Sequence, residues 1–365
     1  MGFAFRILIV SISLGFYGSL HAKEYRITAE DSISTPYSEL FDSDEILQLT
    51  LKGDMRKPLH DKSQKPKFYP LTLTYHGKDD SQKSLSIEVK ARGNYRRLRG
   101  NCTYAPLMLK FMEDEATQTS IFYSQRELKL VMPCKGDEYV IREWLIYKLY
   151  NLFTPLSFKA RLVKVQLEEE GKAKNDDSFY GILLEDETKL AERNGLVSLK
   201  RKMKPYQTQV DQFNLMAVFE YLIGNTDWSV QYRQNIKLLY EGNAKLPFTV
   251  PYDFDHAGIV DAPYARPTKE LGIKSVRERI YRGFCVEDLD KFAPIVDRFK
   301  ELKKEIYALY EDSDYLDQAY IQSTVLFLDD FYATLNDENA WREDFGYPCD
   351  PKGTGNVVIK GLKDN

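Results

Sequence analysis

The stretch IKLLYEGNAKLPFTVPYDFDHAG, residues 236–258, predicts a β-hairpin that ends in two carboxylates. Its apolar runs IKLLY and PFTVPYDF are separated by EGNAK, which contains the turn formers glycine and asparagine. Because a hairpin brings its two ends together, Asn235 and Asp253 are predicted to lie side by side. Amide and carboxylate oxygens bind Mg²⁺ together with phosphate oxygens. The pattern therefore predicts a divalent-metal site at Asn235 and Asp253, with Asp255 as a further ligand or a supporting group.

A loop aspartate precedes this hairpin. The run DQFNLMAVFEYLIGN predicts an amphipathic helix that ends near Gly224, and Asp227 follows in the loop. Phosphoryl transfer from a nucleotide needs metal ions held against the phosphates and a positioned acceptor hydroxyl. An aspartate facing the acceptor and metal ligands beyond it meet those needs. We therefore predict that Asp227 orients or deprotonates an acceptor hydroxyl.

The order of strand-like and helix-like runs predicts the architecture. Short alternating runs such as YPLTLTYH and LSIEVKARG extend from residue 45 to about residue 123, and RLVKVQLEEE and FYGILLED follow one long helical run. Helical runs dominate from Thr188 onward. Strands followed by helices predict an α+β protein with two lobes. We assign residues 23–187 to a strand-rich N-terminal lobe, 188–335 to a helical C-terminal lobe with the catalytic loop and metal motif, and 336–365 to a tail.

Residues 1–22 have the pattern of a secretory signal peptide. One arginine precedes an uncharged apolar run, and small or polar residues lead to Ala22. The alternative is an uncleaved membrane anchor. No later run approaches the roughly 20 apolar residues that a membrane helix needs. We predict an exported protein, periplasmic, cell-surface or extracellular, with no membrane span after removal of the signal.

Charge and histidine content argue against several functions. The chain has 51 basic and 55 acidic residues, a net charge of −4, so no overall attraction to nucleic acid is expected. It contains four histidines, one of them in the predicted signal, and no G-x-S-x-G motif. A Ser-His-Asp hydrolase and a multi-histidine zinc site are therefore not supported.

Four cysteines predict two disulfides if the protein is exported. Three pairings are possible. We favour Cys102 with Cys134 and Cys285 with Cys349, because each pair then stays within one lobe. Four free thiols are the alternative.

Several segments, in order, resemble the CotH-type secreted kinases, an atypical branch of the protein-kinase-like fold. ARGNYRR resembles an RGN-type motif of that family, and PLMLKF, ELKLV and VIREWLIYKLYN resemble its strand, strand and helix. FYGILLED resembles the strand that enters the hinge. GNTDW, NIKLL and PYDFDHAG resemble the catalytic and metal motifs. The order of these segments, sampled from about residue 85 to 285, is the specific part of the resemblance.

The resemblance implies a two-lobed protein-kinase-like fold, ATP as phosphate donor, Mg²⁺ or Mn²⁺, and a protein hydroxyl as acceptor. It also implies roles for residues: catalytic Asp227; metal-binding Asn235, Asp253 and Asp255; a phosphate-binding lysine that is Lys110 or Lys129; and Glu143 as the partner of that lysine. One spacing departs from the family. Asp227 and Asn235 are eight residues apart, whereas kinase templates have about five, which bears on whether Asn235 binds metal and whether activity is retained.

Two other functions compete with a kinase. A non-catalytic surface or binding protein could keep the same fold, and the test is whether Asp227, Asn235 and Asp253 converge with a lysine opposite. A glycosidase could use the same acids and predicts a cleft lined by exposed tryptophan.

Two basic regions each allow two interpretations. Arg92, Arg96, Arg97 and Arg99 could contact phosphates or form a solvated basic face. Residues 264–283 could bind an acidic partner or pair with surface acids.

Overall fold

Seven strands form a barrel in the first half of the chain. The computed structural model describes residues 39–77, 79–93, 96–97, 101–171, 177–242 and 245–347. The barrel strands are β1 (Leu47–Gly53), β2 (Tyr69–His76), β3 (Gln82–Ala91), β4 (Leu107–Phe111), β5 (Glu127–Val131), β6 (Ala160–Glu169) and β7 (Ser178–Leu184). Each lies in a run that was predicted to form a strand, so these strand predictions are confirmed.

The barrel is closed by its first and sixth strands. The strand order is β1-β2-β3-β4-β5-β7-β6, and β6 returns to pair in parallel with β1, from Leu47 with Val163 to Gly53 with Glu169. The other neighbours are antiparallel. Alternate apolar side chains, including Leu49, Leu73 and Leu109, fill the interior. Closure leaves no free edge in this sheet.

The predicted two-lobed, protein-kinase-like α+β fold is wrong. The structure has a closed, mixed seven-stranded barrel with helices packed around it, which is not the arrangement of a two-lobed kinase. The physical cause is that β6 pairs along both of its edges, with β7 and with β1. Alternation predicts which residues form strands, but it does not reveal a parallel pairing between strands far apart in sequence.

The other regular elements of the described chain are helices and a small second sheet. The helices are α1 (Arg56–His60), α2 (Glu115–Gln118), α3 (Glu138–Asn151), α4 (Glu187–Arg193), α5 (Val210–Leu222), α6 (Ala293–Glu301), α7 (Lys303–Glu311), α8 (Gln318–Asn336) and α9 (Glu338–Phe345). The small sheet has the order β10-β9-β8, with β8 (Val197–Ser198), β9 (Ile236–Tyr240) and β10 (Phe248–Pro251). All described residues belong to one compact unit.

Two apolar clusters stabilise this unit. One fills the barrel interior. The other lies between the outside of the barrel and the helices, and it includes Trp144 and Leu145 of α3 with Ile182 of β7. The same cluster contains Phe213 and Phe219 of α5, because that helix is surrounded by protein. This second cluster supports the loops that carry the predicted site residues.

One predicted disulfide is confirmed. Cys102 and Cys134 are bonded to each other and join the segment before β4 to the segment after β5. The second prediction, Cys285 with Cys349, involves Cys349, which lies outside the described residues. The predicted signal at residues 1–22 and the tail beyond residue 347 lie outside them too. In the part of the chain that the structure describes, no helix has the length and apolarity to cross a membrane.

Candidate functional site

The predicted hairpin forms and brings two predicted ligands together. β9 and β10 are antiparallel, Ile236 pairs with Pro251, and the Tyr252 N–H donates to the Asn235 carbonyl at 3.0 Å. Asn235 has φ 51° and Asp253 has φ 65°. Asparagine and aspartate adopt this left-handed region more readily than most residues. Such backbone strain at non-glycine residues is concentrated at functional sites.

The loop that carries Asp227 is fixed by its own side chains. The helix α5 ends at Leu222, and Gly224, at φ 66°, turns the chain. The Asp227 N–H then donates to Asn225 Oδ1 at 3.0 Å, which forms an Asx turn. The buried Trp228 indole donates to the Asn225 carbonyl at 3.2 Å. These contacts hold Asp227 between the helix end and β9.

Two amides hold the Asp227 carboxylate. Asn235 Nδ2 donates to Asp227 Oδ2 at 3.0 Å and to the Asp227 carbonyl at 2.7 Å, and Gln234 Nε2 donates to Asp227 Oδ1 at 2.5 Å. A reciprocal backbone pair between Ser229 and Gln234 folds the intervening residues into a closed loop. The eight-residue separation is thereby accommodated. Gln234 was not predicted as a site residue, although its position next to Asn235 was an available signal.

Asp253 interacts electrostatically with Asp255 and with Asp227. Its own carboxylate accepts no hydrogen bond from the described residues, while its N–H donates to Tyr147 Oη at 2.9 Å. Burial first, and then the charge of Asp255, raise the pKa of Asp253. Burial also raises the pKa of Asp227 to about 6, with Asp253 and Asp255 contributing in the same direction. The Asp255 carboxylate accepts a hydrogen bond from Tyr264 Oη at 3.3 Å.

Glu143 of α3 lies beneath these acids and does not pair with Lys129. It is buried, and its Oε1 has no hydrogen-bond partner among the described residues. Burial, followed by repulsion from Asp255 and Asp253, raises its pKa well above the usual range. The cation that opposes this shift is Arg96, whose Nη1 lies 3.8 Å from Asp255 Oδ2. The predicted role of Glu143 as partner of Lys129 is therefore wrong.

The structure separates the two candidate lysines. Lys110 forms an ion pair with Glu88 at 2.6 Å on the outside of the barrel, and its side chain is partly exposed. Lys129 lies at the site, where burial first and then repulsion from Arg92 and Lys237 lower its pKa to about 8. Asp253 is the acid that most opposes that shift. No carboxylate of a described residue lies within ion-pair distance of the Lys129 ammonium group.

Lys129 belongs to a cluster of cations around Tyr252. Lys129 Nζ and Lys237 Nζ lie 4.8 and 4.9 Å from the centre of the Tyr252 ring. Lys237 is paired with Glu187 at 2.8 Å. Arg92 is a third cation close enough to act on this site, because its charge lowers the pKa of both Lys129 and Asp253. Lys237 was not predicted as a site residue, because its position in the strand-like run IKLLY gave no functional signal.

Two arginines of residues 264–283, Arg279 and Arg282, donate to backbone carbonyls around the Asp227 loop. Arg282 Nη1 donates to the Trp228 carbonyl at 2.7 Å and also to the Thr226 carbonyl, on either side of Asp227. Arg279 Nε donates to the carbonyl of Leu222, at the end of α5, at 3.2 Å. These contacts fix the Asp227 loop from the side opposite β9. Arg279 Nη1 also pairs with the exposed Asp330 at 2.8 Å, so one cation of this segment does pair with a surface acid.

The donor set suits a hard cation that also binds phosphate. In the described ranges, no three His, Cys, Asp or Glu side chains are grouped in a way that could hold a metal ion. Mg²⁺ commonly binds one or two carboxylates and takes its other ligands from phosphates and water. The Asp253 carboxylate accepts no hydrogen bond from a described residue, so its oxygens are available to a cation. Asn235 uses Nδ2 to bind Asp227, which leaves its Oδ1 available as a second ligand. These residues therefore fit Mg²⁺ or Mn²⁺ together with a phosphorylated ligand.

The three tryptophans do not fit a glycosidase. Trp144, Trp228 and Trp341 are all buried, the most exposed of them at 7 %. None of the three tryptophans can therefore line an exposed sugar-binding cleft.

No protein-family model matches this chain, and neither does any curated protein.

Proposed function

We propose that this site transfers a phosphoryl group from a nucleoside triphosphate such as ATP to a protein hydroxyl. The observation that carries the proposal is the convergence of Asp227, Asn235 and Asp253 beside Lys129, a lysine without a carboxylate partner among the described residues. The geometry supports the metal-binding, phosphate-binding and acceptor-positioning roles. ATP as the donor and a protein hydroxyl as the acceptor are what the resemblance to the CotH-type kinases implies.

The cations supply the binding of phosphate. Lys129 and Arg92 are in electrostatic contact with each other and with Asp253, so an anion placed between them would relieve their repulsion. Asp253 and Asn235 would hold Mg²⁺ or Mn²⁺, which neutralises phosphate charge when bound. Lys237 lies against the same Tyr252 ring as Lys129 and adds a further positive charge beside it.

Asp227 positions the acceptor in this proposal. The acceptor oxygen attacks the γ-phosphorus and forms the new P–O bond. The bond to the β,γ-bridging oxygen breaks, and its electron pair leaves with the nucleoside diphosphate. The hydroxyl proton passes to the Asp227 carboxylate, whose pKa of about 6 leaves it ionised at neutral pH and able to accept. Gln234 and Asn235 keep that carboxylate in one orientation.

Turnover of ATP tests the proposal. With Mg²⁺ or Mn²⁺, we expect slow formation of ADP by the purified protein, because water can replace the acceptor hydroxyl. Asp227→Asn should lower the rate by about 100-fold or more. Asp261→Asn is the matched control, because Asp261 is an exposed aspartate that also has a left-handed backbone, φ 54°. No ADP with either metal, or equal rates for both variants, would favour the non-catalytic binding protein instead.

A further inference from the structure

The segment Leu199–Lys204, LKRKMK, concentrates positive charge in a mildly acidic chain. Four of its last five residues are cations: Lys200, Arg201, Lys202 and Lys204. The first three are exposed. None of the four forms an ion pair with a described residue, although many other cations of the protein do. An unneutralised cluster of this kind attracts anionic groups.

The backbone of this segment is held at both ends and unpaired between them. The Leu199 N–H donates to the Leu238 carbonyl at 2.8 Å, and the Lys204 N–H donates to Gln207 Oε1 at 2.9 Å. Residues 200–203 make no backbone hydrogen bond to any described residue. These residues follow β8, which is one of the two edge strands of the small sheet. Unpaired backbone next to a sheet edge can bind an extended peptide by adding a strand.

Apolar side chains flank the cations. Val197 at one end is 59 % exposed, and Tyr206 at the other is 51 % exposed. Both are among the most exposed large apolar residues of the described chain. Residues 197–206 therefore offer charge, backbone groups and apolar contacts in one short surface.

This surface adjoins the proposed phosphotransfer site. Ser198 Oγ donates to the Glu187 carboxylate, which also pairs with Lys237 at 2.8 Å. Lys237 lies against the Tyr252 ring, on which Lys129 is also placed. A chain bound along residues 197–206 would thus run beside the cation cluster of the site.

We propose that residues 197–206 bind an acidic peptide segment in an extended conformation, supplied by the acceptor protein. The designation as acceptor rests on the proposed function, whereas peptide binding itself does not. The cations select acidic side chains, and the unpaired backbone selects a peptide. A membrane or a nucleic acid would use the cations but not the unpaired backbone groups, whereas an extended peptide uses both.

Fluorescence anisotropy with a labelled octaglutamate peptide tests this surface. We expect the wild-type protein to bind the peptide more weakly as salt rises and to bind an octaglutamine peptide far less. Combined Lys200→Gln, Arg201→Gln and Lys202→Gln should weaken octaglutamate binding about tenfold. The matched control removes three exposed cations elsewhere, by Lys291→Gln, Lys300→Gln and Lys304→Gln, and should change binding less than twofold.

The outcomes separate this proposal from the phosphotransfer function. Equal weakening by both triple variants, or no octaglutamate binding, would overturn it. Tighter binding to vesicles with 30 mol % phosphatidylglycerol, or to a single-stranded oligonucleotide, would also overturn it. Asp253→Asn should leave octaglutamate binding unchanged. If the peptide binds while ATP with Mg²⁺ does not, the docking surface stands and the phosphotransfer proposal falls.

Discussion

Asn235 donates both of its amide hydrogens to Asp227, at 3.0 Å to the carboxylate and at 2.7 Å to the backbone carbonyl. The two residues are eight positions apart and belong to different local structures, a loop after α5 and the start of β9. The Ser229–Gln234 backbone pair makes the contact possible by closing the loop between them. The orientation of Asp227 therefore depends on Asn235.

Two substitutions of Asn235 distinguish the contribution of its hydrogen bonds to stability from the contribution of its backbone conformation. Asn235→Gly loses both hydrogen bonds, and we expect a loss of about 1–3 kcal/mol in the free energy of unfolding. Asn235→Ala loses the same bonds and also strains the left-handed backbone at φ 51°, so it should cost about 1 kcal/mol more. Urea denaturation of both variants measures the difference. Equal stability of the two would contradict the backbone part of the argument.

Gly258, which ends the PYDFDHAG stretch, is required by close packing. A Cβ built there would lie 2.2 Å from the Val276 carbonyl oxygen, a backbone atom that cannot rotate away. We predict that Gly258→Ala lowers the free energy of unfolding by about 3 kcal/mol or more. The control is Gly272→Ala, where the backbone is left-handed at φ 71° and the space around a Cβ is open. Its cost should be about 1 kcal/mol, and a similar cost at both positions would disprove the packing argument.

Because Glu220 of α5 is buried, we predict that the free energy of unfolding depends on pH. Glu220 is 1 % exposed, and burial raises its pKa to about 8, a shift that the Asn225 side chain and the charge of Arg282 oppose only in part. The unfolded chain ionises near pH 4.5, whereas the folded chain keeps the proton until about pH 8. Folding is therefore penalised increasingly from about pH 4.5 to pH 8, and the penalty is absent at lower pH.

Glu220→Gln removes that penalty. We expect the variant to be about 2–4 kcal/mol more stable than the wild type at pH 7.5, with the difference vanishing near pH 4. Guanidinium denaturation across this range measures the effect. Glu311→Gln, at an exposed position of α7, is the control and should show no such trend. A stability difference for Glu220→Gln that does not change with pH would refute the prediction.

Arg282 should stabilise the Asp227 loop through its backbone contacts. Arg282→Met removes the donor for the carbonyls of Thr226 and Trp228 and leaves both groups buried. We predict a loss of about 2–4 kcal/mol in the free energy of unfolding. Arg298→Met is the comparison, because Arg298 is half exposed and makes one long hydrogen bond, 3.3 Å, to the Leu152 carbonyl and one exposed ion pair with Glu301 at 3.5 Å. A loss for Arg282→Met no larger than that of Arg298→Met would contradict this role.

The sequence predicted the local elements of this fold better than their assembly. Alternating runs identified the barrel strands because each has one face in the core, as in β1 and β2. Closure depends on Leu47 meeting Val163, a pairing that neither run encodes. The short strand β8 was missed because two residues carry no readable period.

The site was predictable where topology alone decided it. The hairpin was expected to place Asn235 beside Asp253, and the N–H of Tyr252, the residue before Asp253, donates to the Asn235 carbonyl. The choice between Lys110 and Lys129 was open because they lie on neighbouring strands, and only the packing of the barrel decides which one faces the site. The role of Arg282 could not be foreseen, since its contacts reach residues more than 50 positions away.

Calorimetric titration of ATP with Mg²⁺ or Mn²⁺ into the wild-type protein and Asp253→Asn tests the central claim most directly. We predict that the wild type binds the metal–nucleotide complex, that Asp261→Asn binds it equally, and that Asp253→Asn weakens binding about tenfold or more, since a charge-assisted contact is worth about 1.5–3 kcal/mol. Equal affinity for all three proteins, or no binding with either metal, would contradict the assignment of Asp253 to a nucleotide–metal site.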